Sequence, residues 1–216
     1  MNILKDQIGR SMIEMLGVLA IIGVLSIGGI AGYSKAMERH RVNESVNQIS
    51  HIVQNTRNLF INQPKIYGAL DFNNGTYMSV VNYANHQLAE KTQIFPTSLM
   101  KNDYRNLFGG EIKYFADGRF TKDDGKAFIL EYYSIPQEAC IELATRDWQS
   151  SLGVIAMRIE GSKNVSSIQE SYNGNCTTSY KGGDALVCAA DMPITIEQAV
   201  TACDKQKDNH IRWKFY

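Results

Sequence analysis

An α+β fold, one long N-terminal helix packed on an antiparallel β-sheet, is predicted by three features of this 216-residue chain. The first half-hundred residues read as helix, short alternating segments follow, and Pro or Thr marks the starts of helices between them. The opening helix has two parts. From Met15 to Tyr33 no residue is charged, about the length an α-helix needs to cross a bilayer. Gly17, Gly23, Gly28, Gly29 and Gly32 lie in this run, and membrane helices tolerate such glycines. Beyond Tyr33 the chain turns polar, with Val42, Val46, Ile49, Val53 and Phe60 recurring in steps of four and three, and Ile52 and Leu59 beside them. That spacing belongs to a helix with one buried face. Pro64 closes the segment, because proline cannot continue a helix interior. One helix from Ser11 to Asn62 would be roughly 78 Å long at 1.5 Å per residue.

The later elements follow in order. A second helix is expected from Tyr77 to Glu90, then a loop holding Pro96. Residues 111–116 (EIKYFA) and 126–133 (KAFILEYY) read as strands joined by a turn at Asp123-Asp124-Gly125. Residues 136–148 open with Pro and Glu, as a helix start does, and 154–160 (VIAMRIE) read as a buried strand. A short helix is expected from Thr195 to Asp204. Residues 211–216 alternate, placing Ile211, Trp213 and Phe215 on one face.

Composition narrows the function. Lys plus Arg and Asp plus Glu number 22 each, so no net basic field draws the chain to nucleic acid. The run Glu38-Arg39-His40-Arg41 is read as a solvated face or a headgroup contact. Four cysteines, Cys140, Cys176, Cys188 and Cys203, stand at gaps of 36, 12 and 15, which fit no zinc pattern. An even count without a C-x-x-C pair points to disulfides in an oxidising compartment, against free thiols or a metal site. No nucleophile elbow, H-E-x-x-H or phosphate loop occurs, so the chain is read as no enzyme, with no catalytic residue, metal or cofactor. Asp123-Asp124 suits a hairpin turn better than a calcium loop. Glu138, Glu142 and Asp147 are read as surface charges of one short helix.

Glu14 is the informative residue. It stands at the mouth of the apolar run, where an acid is costly. A signal peptide explains the run's first half and the small residues 26–29, but the apolar character continues past that cut. A plain anchor gives Glu14 no purpose. The stretch Gly9-Arg10-Ser11-Met12-Ile13-Glu14, followed by Ala20-Ile21-Ile22-Gly23, closely resembles the N-terminal signature of type IV pilins and of secretion-system pseudopilins. The resemblance implies a leader that ends at Gly9, a mature N-terminus at Arg10 and Glu14 as the fifth mature residue. Arg10 stands where that family usually has an apolar residue. Ala31 stands where many members have Pro, and Gly28, Gly29 and Gly32 loosen the same region. Cleavage would free an α-amine at Arg10, mostly protonated with a reference pKa near ~8. An amine on a neighbouring helix would compensate a Glu14 carboxylate excluded from water and fix the register of the two helices.

The soluble half extends the resemblance. Asn106, Phe108, Gly109 and Gly110, then Pro136 with Cys140, and a late Cys203 before the last strand look like the globular domain of type IVb pilins. The resemblance implies a pilin fold and a Cys140–Cys203 bridge, which leaves Cys176–Cys188; spacing alone allows the other two pairings. The expected organisation is a leader (1–9), an assembly and transmembrane segment (10–33), an amphipathic segment (34–62) and a globular domain (63–216). What it implies is a structural subunit that sits in the bacterial inner membrane in a single pass, its globular domain periplasmic. A prepilin peptidase would cut and N-methylate it, and an assembly platform would build copies of it into an extracellular homopolymer. A type II secretion pseudopilin, a membrane-anchored periplasmic binding domain and a secreted, signal-cleaved domain are the alternatives.

Overall fold

The structure, a computed structural model, describes residues 4–62, 91–117, 127–161, 176–181, 184–203 and 207–215. The expected helix 77–90 and the turn 123–125 lie outside these residues. The chain divides into two compact units, Met1–His40 and Arg41–Tyr216. Helix α1 runs from Leu4 to Phe60, beginning ahead of Ser11 and ending two residues before Asn62.

Within the second unit, α1 buries Val42, Ile49, Ile52 and Val53 completely, with Val46 and Phe60 partly covered. The buried face is wider than the apolar spacing alone marks out, because Ser45, Gln48 and Thr56 are also inside. Thr56 Oγ1 donates to the Ile52 carbonyl at 2.7 Å, which gives its buried hydroxyl proton a partner within the helix. Two side chains tie α1 to later chain: Arg57 Nη2 donates to Leu152 O at 2.8 Å, and Arg146 Nη2 to Asn43 Oδ1 at 2.7 Å.

The sheet has six strands: β1 (Ile112–Asp117), β2 (Ala127–Pro136), β3 (Val154–Glu160), β4 (Ser179–Lys181), β5 (Asp184–Cys188) and β6 (Lys207–Phe215). Their order is β1-β2-β6-β3-β5-β4, every neighbouring pair antiparallel. The C-terminal strand β6 therefore sits inside the sheet. Its alternation sets the core: Trp213 is paired with Leu130 and Met157, Ile211 with Tyr132 and Ile159, and Phe215 with Phe128 and Val154. These residues join the α1 stripe in a single apolar cluster. The Trp148 ring closes on Trp213 edge-on, centroids 5.3 Å apart, the geometry aromatic pairs favour.

Short helices decorate the sheet: α2 (Thr97–Lys101), α3 (Gln137–Ala144), α4 (Trp148–Leu152) and α5 (Ile196–Ala202). The single helix expected over 136–148 is thus two. α3 ends where Thr145 N–H and Oγ1 both turn back to the Ile141 carbonyl. Asp147 then begins α4, its carboxylate accepting from Ser150 N–H at 3.0 Å, the ordinary N-cap arrangement. Asp147 therefore does not share a helix with Glu138 and Glu142. Strands β4 and β5 had no counterpart among the sequence expectations. α5 starts at Thr195 with a capping box, Thr195 Oγ1 accepting from Gln198 N–H while Gln198 Oε1 accepts from Thr195 N–H.

The Asn106 loop is held by one buried amide. Asn106 Nδ2 donates to Tyr133 O at 2.7 Å, and its Oδ1 accepts from the N–H groups of Phe108 and Gly110 at 2.9 and 3.0 Å. Gly110 lies so close to β2 that a Cβ there would meet Tyr133 O at 1.8 Å. No side chain fits that position.

Candidate assembly site

Gly9, Arg10 and Glu14 all fall on α1 in the first unit, with Gly9 and Arg10 in its opening turns. A helix repeats every 3.6 residues, so Arg10 and Glu14 lie about one turn apart on one side. From residue 12 to residue 36 every position is exposed, among them Met12, Ile13, Leu16, Leu19, Ile22, Val24, Ile27 and Ile30. α1 is the one helix among the described residues long and apolar enough to cross a membrane. Around Gly17, Gly23, Gly28, Gly29 and Gly32 no side chain or foreign backbone lies within 4 Å of where a Cβ would be. These positions leave the helix backbone open to close approach by another helix. The two hydroxyls of the stretch are already satisfied, Ser26 Oγ donating to Ile22 O at 2.7 Å and Ser34 Oγ to Ile30 O at 3.0 Å. Glu14 is left as the one acidic or basic side chain on an apolar surface spanning residues 12–33.

The second unit holds the cysteines. They form two bridges, Cys140–Cys203 and Cys176–Cys188. The first joins α3 to the end of α5 across a sequence separation of 63, and both of its residues are fully buried. Gln137 Nε2 adds a hydrogen bond to Cys203 O at 2.8 Å. The second closes a 12-residue separation beside β5. Among the described residues no cluster of His, Cys, Asp and Glu is arranged to hold a metal ion.

Sequence reasoning missed a set of charged groups, most of them buried and Asp184 partly exposed, on the sheet face opposite Trp213. Here Glu131 pairs with Arg212, Tyr133 donates to Glu131 Oε2 at 2.5 Å, and Arg158 Nη2 bonds Asp184 Oδ2 at 2.7 Å while its Nε lies against Glu160 Oε1. His210 Nδ1 is 3.6 Å from Glu160 Oε2, and the His210 ring stacks on Tyr133 with centroids 4.3 Å apart. Burial pushes the Glu160 carboxyl up to about 7, with Arg158 and Arg212 opposing the shift. Burial also pushes the His210 imidazole down to about 3, helped by Arg212, Lys113 and Arg158. His210, Arg212 and Lys214 alternate with the core residues Ile211, Trp213 and Phe215, yet all three are buried as well. The cross-strand register, Glu131 opposite Arg212 and Glu160 opposite His210, is the signal that exposes them.

A family model described as PilS N terminal matches residues 39–215 of this chain. The chain belongs to this family, one of type IV pilins. This is a family of structural subunits rather than enzymes. The pilin is 25% identical over 207 residues to the major structural subunit of bundle-forming pilus from Escherichia coli O127:H6 (strain E2348/69 / EPEC), covering 92% of this chain and 89% of that one. It is 24% identical to the protein of the same description from Escherichia coli O111:H-, with the same coverage. Among solved structures it is similar to TcpA, a type IV pilin from Vibrio cholerae El Tor biotype, at 16% identity and a TM-score of 0.44, covering 80% of this chain and 99% of that one. It is also similar to the type IV b pilin from Salmonella typhi, at 17% identity and a TM-score of 0.39, covering 76% and 96%.

Proposed function

We propose that this pilin is a structural subunit of a type IV pilus, made as a precursor whose residues 1–9 are a leader. A prepilin peptidase cuts after Gly9 and leaves Arg10 as the mature terminus. Residues 10–33 hold the subunit in the inner membrane, residues 34–62 carry the helix into the periplasmic domain, and residues 63–216 complete that domain. An inner-membrane assembly platform then moves subunits into an extracellular fibre of identical copies. The observation that carries this reading is the surface of α1 over residues 12–33, predominantly apolar, exposed at every position and with Glu14 as its single charged side chain. An apolar helix exposed all round needs lipid or other helices against it. In the fibre, other copies of the same helix replace the lipid.

Glu14 supplies the register. Its carboxylate meets the free α-amine of Arg10 on an adjacent subunit, and in a water-poor helix bundle such a contact is strong over a short range. The test has two parts. N-terminal sequencing of fibre-derived protein should begin at Arg10; a protein that still polymerises with residues 1–9 attached defeats the proposal. Glu14→Ala should insert into the membrane normally and form no fibres. Fibres of ordinary length and number from that variant would refute the pairing.

A further inference from the structure

The predominantly apolar surface of α1 ends at Tyr33, and the charges that follow it are mostly basic. Residues 12–33 span ~33 Å at 1.5 Å per residue, which matches a hydrocarbon core of about 30 Å. Tyr33 is exposed at the end of that run, and its residue type is the one that membrane–water boundaries favour. Two positions on stands Lys35, and one helical turn after it Arg39, so the two cations share a side of the helix. Both are exposed, as is His40, which ends the first unit. Glu38 is the one acid among residues 34–40; it is partly buried and has a partner of its own. Lys35 and Arg39 outnumber it, so the segment is net positive without counting His40. Along the axis the Cα atoms of Lys35 and Arg39 lie ~3 and ~9 Å beyond that of Tyr33. The polar headgroup layer adds roughly 5–7 Å on each side of the hydrocarbon. Cα–Cβ bonds of a helix tilt toward its N-terminus, here back toward the span, and long Lys and Arg stems carry their charges the same way. Ammonium and guanidinium groups at these positions therefore reach the layer that holds the lipid phosphates.

We propose that Lys35 and Arg39 form a binding surface for the phosphates of anionic phospholipids, which fixes the depth of α1 in the bilayer before assembly. This rests on the reading of residues 10–33 as the segment held in the membrane. The Arg39 guanidinium suits a phosphate through paired N–H donors, and the Lys35 ammonium adds a point charge beside it. Lipid is the occupant, rather than a second copy, because the cations begin where the apolar surface stops. A helix whose preceding turns lie in hydrocarbon meets headgroups at its next turn. The leaflet follows from orientation and is the periplasmic one in the reading above. A subunit that leaves the bilayer for a fibre gives up these contacts, so they hold it in the membrane until assembly.

The test is lipid preference in phosphatidylcholine vesicles that carry the full chain and a trace of spin-labelled phosphatidylglycerol or spin-labelled phosphatidylcholine. The share of label immobilised at the protein reports which lipid it holds. The unsubstituted chain should prefer phosphatidylglycerol at low salt and lose much of that preference at about 1 M salt, where screening is nearly complete. Lys35→Gln combined with Arg39→Gln should lower the preference severalfold, up to about fivefold for each cation removed. Lys35→Arg combined with Arg39→Lys should retain it. Lys5 and Arg10 stand at the other end of the segment and are the same in every variant, so any preference they create is a common background. Equal preference in the unsubstituted chain and the double Gln variant overturns the proposal, and the two cations then face water or other copies. Carbonate extraction of the same vesicles separates the two claims. A chain that is washed off was never inserted, and the membrane reading of residues 10–33 falls with this one; a chain that stays in without the preference defeats this one alone.

Discussion

Residues 12–33 and 42–56 are carried by one helix and use similar apolar side chains, yet they obey different patterns. The first segment is apolar on all sides and exposed on all sides; the second alternates, burying Val42, Ile49, Ile52 and Val53 while its polar face stays wet. A helix with a stripe has found its partner within its own chain. A helix without polar faces needs an apolar medium supplied from outside. The contrast separates what folds this pilin from what would assemble it: the sheet and its bridges make the second unit self-sufficient, whereas the first unit is finished only by lipid or by other copies.

If that separation is real, the largest losses of stability come from the second unit and leave membrane insertion untouched. Replacing Cys140 and Cys203 together by Ser should destabilise the globular unit by about 4 kcal/mol, as expected for a closed loop of some sixty residues. The same change at Cys176 and Cys188 closes a far shorter loop and should cost about 3 kcal/mol. Urea midpoints of the two double variants give the comparison, and an equal loss from both would contradict the loop-length argument. Next comes the helix itself. Ile52→Ala removes a fully buried side chain and should cost about 3 kcal/mol. Leu19→Ala, on the exposed segment, should move the unfolding midpoint by less than ~0.5 kcal/mol and act on fibre formation instead. A comparable thermal or urea shift from Leu19→Ala would erase the distinction between the two segments.

Much of this was legible before any coordinates, because both patterns of α1 are local. The strands over 112–117, 127–136 and 154–160 were legible too, since alternation and apolar runs survive in the sequence whatever they pair with. The signal failed where a structural fact depends on something distant. Residues 179–188 were passed over because β4 has three residues and β5 five, too short for a periodic pattern to stand out. The break at Asp147 was hidden because Pro136 announces a helix start while the capping acid that restarts it looks like one more surface carboxylate. That the cysteines are bridged follows from their even number and the absence of C-x-x-C; their partners do not follow from spacing. The Glu160–His210 contact was invisible, since each residue is ordinary on its own strand and only the register brings them together. For Gly9, Arg10 and Glu14 the sequence supplied the motif and the structure supplied the helix that carries it.

The smallest expected effects lie at the helix starts of the second unit, where two N-caps do the same work with different chemistry. Thr195 caps α5 with a neutral hydroxyl, and Asp147 caps α4 with an exposed carboxylate. Thr195→Ala should cost about 1 kcal/mol at any pH. Asp147 behaves differently in acid. Its hydrogen bonds from Ser150 hold its carboxyl below the ordinary 3.8, so the folded chain gives up this proton more readily than the unfolded chain. The stabilisation is complete above pH 3.8 and fades as pH falls through the lower, folded value. Amide exchange reads both caps in one experiment. On acidification below pH 3.8 the Ser150 N–H, bonded to Asp147 Oδ1, should lose protection, while the Gln198 N–H, bonded to Thr195 Oγ1, should not change relative to its neighbours. Asp147→Asn keeps an accepting oxygen and should remove the acid sensitivity of Ser150. If the two amides instead lose protection together, global unfolding precedes fraying, and the globular unit behaves as a single cooperative body down to its helix ends.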